Sequence, residues 1–258
     1  MFSIFKKPRI GLALGGGGAR GFFHIGVIQA LQELNIEISE VSGTSIGAII
    51  GTIYASNPQV DFNKIVNDLD FLKLMQDIIL GLRGGITVGL EKYLQNYIPV
   101  KTFGQLAIPM SFNAVNINSR QEIIFNTGNI FPAIIASFSI PGVFPPINLE
   151  DNLLIDGGYL NNIPISLLPN SSKIIISDIN GPFKTIDSKS TPLDIFSASI
   201  VLLQEKISQQ NLADTKGKKI IHLSLGDDLT SILDFRKNNY QPLIDLGYQA
   251  MMAQKKEF

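Results

Sequence analysis

Short aliphatic runs alternate along the chain with longer segments whose apolar residues recur at helical spacing. Arg9 to Leu14 reads as a buried first strand, broken by Gly15 to Gly18. Phe22 to Leu34 reads as a helix that is apolar on most sides, with Gln29, Gln32 and Glu33 marking its wet face. Ile36 to Val41 is β-branched and predicts the second strand. Ala48 to Ala55 predicts a second helix, on which Gly47, Gly51 and Ala55 form a ridge of small residues at every fourth position, permitting close approach of a helix or sheet. Amphipathic helices are expected over Asp61 to Leu69 and Phe71 to Leu80, then a flexible Gly81-Leu82-Arg83-Gly84-Gly85 interruption and a resumed helix from Glu91 to Tyr97. The apolar set Phe71, Leu72, Leu74, Met75, Ile78, Ile79 and Leu82 reads first as core, with a cap over an acyl cleft or an interfacial patch as the sharper alternative.

Pro109 to Ala114 and Gln121 to Phe125 predict paired strands around an Asn116 to Arg120 turn. Pro132 to Ser137 makes a short helix, and Pro141 to Pro146 a stiff loop. Leu153 to Ile155 and Lys173 to Ser177 are further strands, Pro192 to Ala213 a long helix, Lys219 to Leu225 a last strand and Pro242 to Gln254 a closing helix. Thr185 to Thr191 reads as a mobile loop. The alternation predicts an α/β fold with a largely parallel sheet.

A length of 258 residues suits one large domain. The 17% charged fraction is low beside 45% hydrophobic residues, which suits some functional apolar surface. A net charge of -1 argues against a nucleic-acid partner. The absence of cysteine excludes disulfides, thiolate metal sites and a cysteine nucleophile. The basic N-terminus is followed by an apolar run too short for a signal peptide, and no run is long enough to span a bilayer. The expectation is an unprocessed cytoplasmic chain.

Candidate chemistry concentrates at three places. Gly43-Thr44-Ser45-Ile46-Gly47 lies between a strand and a helix, the pattern of a nucleophile elbow. Glycines two residues either side of the serine remove Cβ atoms that the sharp turn would bring into collision. The bland alternative is a capped tight turn. Gly16-Gly17-Gly18-Ala19-Arg20-Gly21 lets backbone amides converge on an anion or oxyanion. Alternatively it is a dinucleotide loop with Glu33 or Glu37 on the ribose, or a packing turn. It is not a P-loop, because no Gly-Lys-Ser/Thr closes it. Asp156 precedes Gly157 and Gly158 at a strand end, where a carboxylate is either functional or an Asx turn. All three motifs fall at C-terminal strand ends, where parallel α/β sheets place their sites. Of the two histidines, His24 and His222 both read as structural, with His222 the base if a Ser, Asp, His triad operates.

These residues resemble the patatin-like phospholipases, particularly their bacterial cytoplasmic branch. The likeness rests on Gly16 to Gly21, Gly43 to Gly47, Ala136-Ser137 with Pro141 downstream, and Asp156-Gly157-Gly158, and it extends to about Pro169. It implies a three-layer α/β/α fold over 1–258, with the motifs in about 8–170 and residues 171–258 completing sheet and helices. It also implies a Ser45–Asp156 dyad in place of a triad. An oxyanion hole at the Gly16, Gly17 and Gly18 amides follows, with Arg20, Gly21, Gly43, Gly47, Gly157 and Gly158 in support. No cofactor or metal is implied. The substrate would be a lipid or fatty-acyl ester, with transient contact at a membrane surface. The alternative is a non-catalytic lipid- or nucleotide-binding protein.

Overall fold

The computed structural model describes residues 8–68, 86–182, 185–213, 215, 217–226 and 231–258. The expected Phe71 to Leu80 helix, its apolar set and the Gly81 to Gly85 interruption lie outside these residues. The strands are β1 (Ile10–Leu14), β2 (Glu40–Gly43), β3 (Met110–Asn116), β4 (Gln121–Phe125), β5 (Ile147–Leu149), β6 (Asn152–Asp156), β7 (Lys173–Asp178) and β8 (Lys219–Ser224). The helices are α1 (Phe22–Glu33), α2 (Ile46–Ser56), α3 (Phe62–Asp68), α4 (Ile86–Leu94), α5 (Ile130–Ser137), α6 (Pro192–Ala213) and α7 (Tyr240–Met252).

One sheet takes the strands in the order β5-β6-β3-β2-β1-β7-β8, with β4 also paired to β3. The β3-β2-β1-β7-β8 stretch is parallel throughout, and the ladders of β3 with β4, β3 with β6 and β5 with β6 are antiparallel. The fold is thus α/β with a mixed, mostly parallel sheet, as expected. Side chains alternate between its faces. Leu12, Leu14 and Ile175 enter a large core with residues of α1 and α2, while Ala13, Ile174 and Ile176 enter a smaller one against which Leu212 of α6 packs. Burial on both faces explains why β1 and β7 are continuous apolar runs.

The geometry around β3 positions the site. Phe112 pairs with both β2 and β4, so those strands flank β3 on opposite edges. Residues Ala114 to Asn116 pair with both β4 and β6, so β6 lies on the same edge as β2. Since β2 runs parallel and β6 antiparallel to β3, their C-terminal ends meet head-on at Asn113. Gly43 stops opposite Phe112 and Asp156 stops opposite Ala114.

Three expectations shift. The second strand begins at Glu40, not Ile36. There the Ser39 N–H donates to Ile10 O at 2.7 Å, and the Glu40 carboxylate accepts from the Asn170 N–H and the Ser171 hydroxyl. The helix expected from Glu91 to Tyr97 runs Ile86–Leu94. Strand β5 follows the proline-rich loop, too short at three residues to show a period. The small-residue ridge of α2 packs on the sheet: a Cβ on Gly47 would stand 2.3 Å from Leu14 O.

Candidate active site

Ser45 joins β2 to α2 with φ 56° and ψ -122°, a left-handed backbone that a serine adopts only under constraint. A Cβ on Gly43 would lie 2.5 Å from the Gly47 carbonyl oxygen, so the flanking glycines are required by space. The Ser45 N–H donates to Ser137 Oγ at 3.0 Å. Beside it, the Thr44 hydroxyl donates to Asn113 Oδ1 and to Asn161 O, tying the elbow to the point where β2 and β6 meet.

Asp156, the last residue of β6, is 2% exposed. Its N–H donates to Ser139 O at 2.9 Å, and its Oδ1 accepts the Gly158 N–H at 2.8 Å. Residues 137–139 therefore hold Ser45 through one hydrogen bond and Asp156 through another. Asp156 Oδ2 is buried and makes no full hydrogen bond among the described residues. Burial pushes this carboxyl up to about 6, against the opposing pull of the nearby Ser45 hydroxyl and the Gly158 N–H. The Ser45 hydroxyl thus stands close enough to favour the charged carboxylate without the geometry of a full bond, a looseness common in unliganded sites.

The glycine loop completes the cluster. The position a Cβ on Gly16 would take lies 3.3 Å from Ser45 Cβ and 2.5 Å from Asn162 Oδ1. The equivalent position on Gly158 lies 2.8 Å from Asn162 Oδ1 and 3.1 Å from Asp156 Oδ1. Gly16, Ser45, Asp156, Gly158 and Asn162 thus converge, while Gly157 packs on Asn113 and Gly21 on Ile46. The Gly16 N–H, expected among the oxyanion donors, is instead given to Asn162 O at 3.1 Å. Gly17 and Gly18 follow it, and Gly18 sits at φ +55° where an added Cβ would strike Ile232 O. Arg20 is buried and donates to the carbonyls of Gly181 and Pro182, which fastens the loop to the segment after β7.

Both histidines lie apart from this cluster. His24 is fully buried, with Nε2 on Gly15 O at 2.8 Å and Nδ1 on Ser177 Oγ at 2.7 Å. Because a carbonyl only accepts, Nε2 carries the proton and Nδ1 accepts from the Ser177 hydroxyl. Burial lowers this imidazole to about 4, so it stays neutral and props the loop. His222 Nε2 pairs with Asp178 Oδ2 at 3.0 Å, on β8 and β7. Glu33 ends α1, at the helix end away from the glycine loop, and Glu37 precedes β2, so both stand at the wrong end of the sheet for a dinucleotide ribose. Sequence reasoning passed over Asn162, Asn113 and the hydrogen bond of Ser137. Only Ser137 carried a signal, as part of the Ala136-Ser137 motif. Among the described residues no His, Asp and Glu cluster could hold a metal, and no helix is long and apolar enough to cross a membrane. On the side of α2 away from the sheet, an apolar cavity runs from Ile46 past Ile49 and Ile53 to Phe62, Leu90 and Leu94.

The chain is similar to known proteins in both sequence and fold. An uncharacterised NTE family protein of Mycobacterium bovis is 33% identical over 181 residues, covering 68% of this chain and 50% of its own. The lysophospholipase NTE1 of Meyerozyma guilliermondii is 36% identical over 174 residues, covering 63% of this chain but 12% of its own. The chain therefore spans half or less of these relatives' length. VipD of Legionella pneumophila shares the fold with a TM-score of 0.53 at 18% identity, over 98% of this chain and 67% of that one. The family model of patatin-like phospholipases matches residues 12–169, the stretch that holds the elbow, the glycine loop and Asp156, and the chain belongs to that family.

Proposed function

We propose that this chain hydrolyses the carboxylic ester of a lipid acyl group, with Ser45 as nucleophile and Asp156 as base. The observation that carries the reading is a strained, buried serine beside a buried carboxylate, one oxygen of which makes no full hydrogen bond among the described residues. Ser45 Oγ attacks the ester carbonyl as its proton passes to Asp156, and the leaving alcohol takes that proton. Water then attacks the acyl-enzyme while Asp156 accepts and returns a proton. A carboxyl lifted to about 6 is a stronger base than an ordinary aspartate yet is charged at neutral pH. The Gly17 and Gly18 amides are assigned to the oxyanion, a role in which one donor is worth roughly a hundred- to a thousandfold in rate. The apolar cavity along α2 suits an acyl chain, since Ile46 on its wall follows the nucleophile directly. Exposed Leu160, Ile195, Leu202 and Leu203 support transient contact with a lipid surface.

A fluorophosphonate probe should label Ser45, and Ser45→Ala should abolish both labelling and ester hydrolysis in a folded protein. Hydrolysis that survives the substitution refutes the assignment. In the intact enzyme, kcat/KM should fall about tenfold per pH unit below about 6, because the base must be ionised.

A further inference from the structure

Two buried acceptors in the site make no full hydrogen bond among the described residues: Asn162 Oδ1, and Asp156 Oδ2 on the carboxylate beside the Ser45 hydroxyl. Both side chains are nearly inaccessible, Asn162 at 0% and Asp156 at 2% exposed. A buried unpartnered acceptor is costly, so two on side chains that border the same glycine, Gly158, call for donors that the surrounding residues do not supply. The orientation of the Asn162 amide is fixed by its surroundings. Its Nδ2 donates to Gly16 O at 3.2 Å and to Asn180 Oδ1 at 3.1 Å, and a backbone carbonyl can only accept. Its Oδ1 must therefore face the other way, into the space between the glycine loop and the Gly158 turn. There it borders Gly158 together with Asp156: a Cβ built on that glycine would lie 2.8 Å from Asn162 Oδ1 and 3.1 Å from Asp156 Oδ1. The two side chains thus flank one glycine, and a water is the smallest ligand with two protons to give.

We propose that Asn162 Oδ1 and Asp156 Oδ2 together hold the water that hydrolyses the acyl-enzyme, an inference that rests on the Ser45–Asp156 reading above. The water oxygen forms the new bond to the acyl carbon. One of its protons goes to Asp156 and from there to Ser45 Oγ as the ester bond to Ser45 breaks. The other proton stays on the released acid and points at Asn162 Oδ1 during attack. Asn162 thereby distinguishes water from an alcohol. Water has two hydrogens to place, and an alcohol has one, which Asp156 alone satisfies.

The test measures partition of the acyl-enzyme between hydrolysis and methanolysis, with a short-chain p-nitrophenyl ester in aqueous methanol. Asn162→Leu removes the acceptor without opening space for a methyl group. It should shift the ratio of methyl ester to free acid about tenfold toward the ester. Asn162→Asp keeps an acceptor and should leave the ratio near that of the unsubstituted protein. Loss of the Nδ2 contact to Gly16 slows both nucleophiles alike, because both share one oxyanion site, so a lower total rate at an unchanged ratio overturns the inference. If Asn162→Leu fails to fold, a high-resolution crystal structure of the unsubstituted protein decides. A water within hydrogen-bond distance of both oxygens supports the assignment, and its absence from well-defined density refutes it. An unsubstituted protein that is not labelled at Ser45 and releases no p-nitrophenol overturns the hydrolase reading itself, a different result from an unmoved ratio.

Discussion

Asp156 carries a cost that its position makes readable. Its carboxyl is raised from 3.8 to about 6 by burial, so between those values the native protein holds a proton the unfolded chain has released. Stability therefore falls as pH rises through that window and is lower at neutral pH by about 3 kcal/mol. Asp156→Asn should abolish hydrolysis and raise unfolding stability at pH 7 by that order, with the gain fading as pH falls toward 4. Chemical denaturation across pH checks both the size and the sign. His24 works in the opposite sense. Its imidazole is lowered from 6.5 to about 4, so the unfolded chain takes up a proton first and stability drops as pH falls through that window. The two slopes offset each other, so Asp156→Asn should steepen the loss of stability that His24 causes as pH falls through that window. Ser45 and Asp156 were legible in the sequence because glycines beside a reactive side chain mark a backbone under spatial constraint. Asn162 was not, since its worth comes from Gly16, 146 positions away, and its own neighbours carry no trace of it.

At the level of elements, helix ends and strand ends do the positioning. The last turn of α5 and the residues after it reach both reactive groups, so Ser137→Ala should leave the Ser45 N–H buried without its acceptor. The expected loss is about 1–3 kcal/mol in unfolding free energy. A larger proportional fall in kcat than in KM should accompany it, because the elbow relaxes. Unchanged stability and kcat would show that the bond holds nothing. Helices with a clear period and start signal were readable, and α6 spans Pro192 to Ala213 as expected. Periodicity failed where other contacts decide. Ile36 to Ser39 has strand residues, but Ser39 bonds to Ile10 O before the ladder begins, and among the described residues β5 pairs with β6 alone.

Across the whole molecule, the decisive arrangement is the meeting of β2 and β6 along β3, which brings together residues 111 positions apart. The parallel part of the sheet followed from alternating strands and helices. The antiparallel return did not, because long-range pairing leaves no local period. The same topology bears on His222. It stands on β8, three strands from β2, which at ordinary strand spacing is about 14 Å. His222→Ala should therefore keep kcat/KM within about twofold, measured at neutral pH. A collapse of the rate would return the histidine to the mechanism.

Residues 137–139 give the reactive pair a property of their own. The Ser45 amide hangs on the Ser137 side chain and the Asp156 amide on the Ser139 carbonyl, so a link of three residues helps to set the span between them. Thermal breathing elsewhere in the sheet would carry both partners together, as two hooks on one rail. In the proposed mechanism, the path of the proton then depends on this three-residue link more than on the softer give of distant packing.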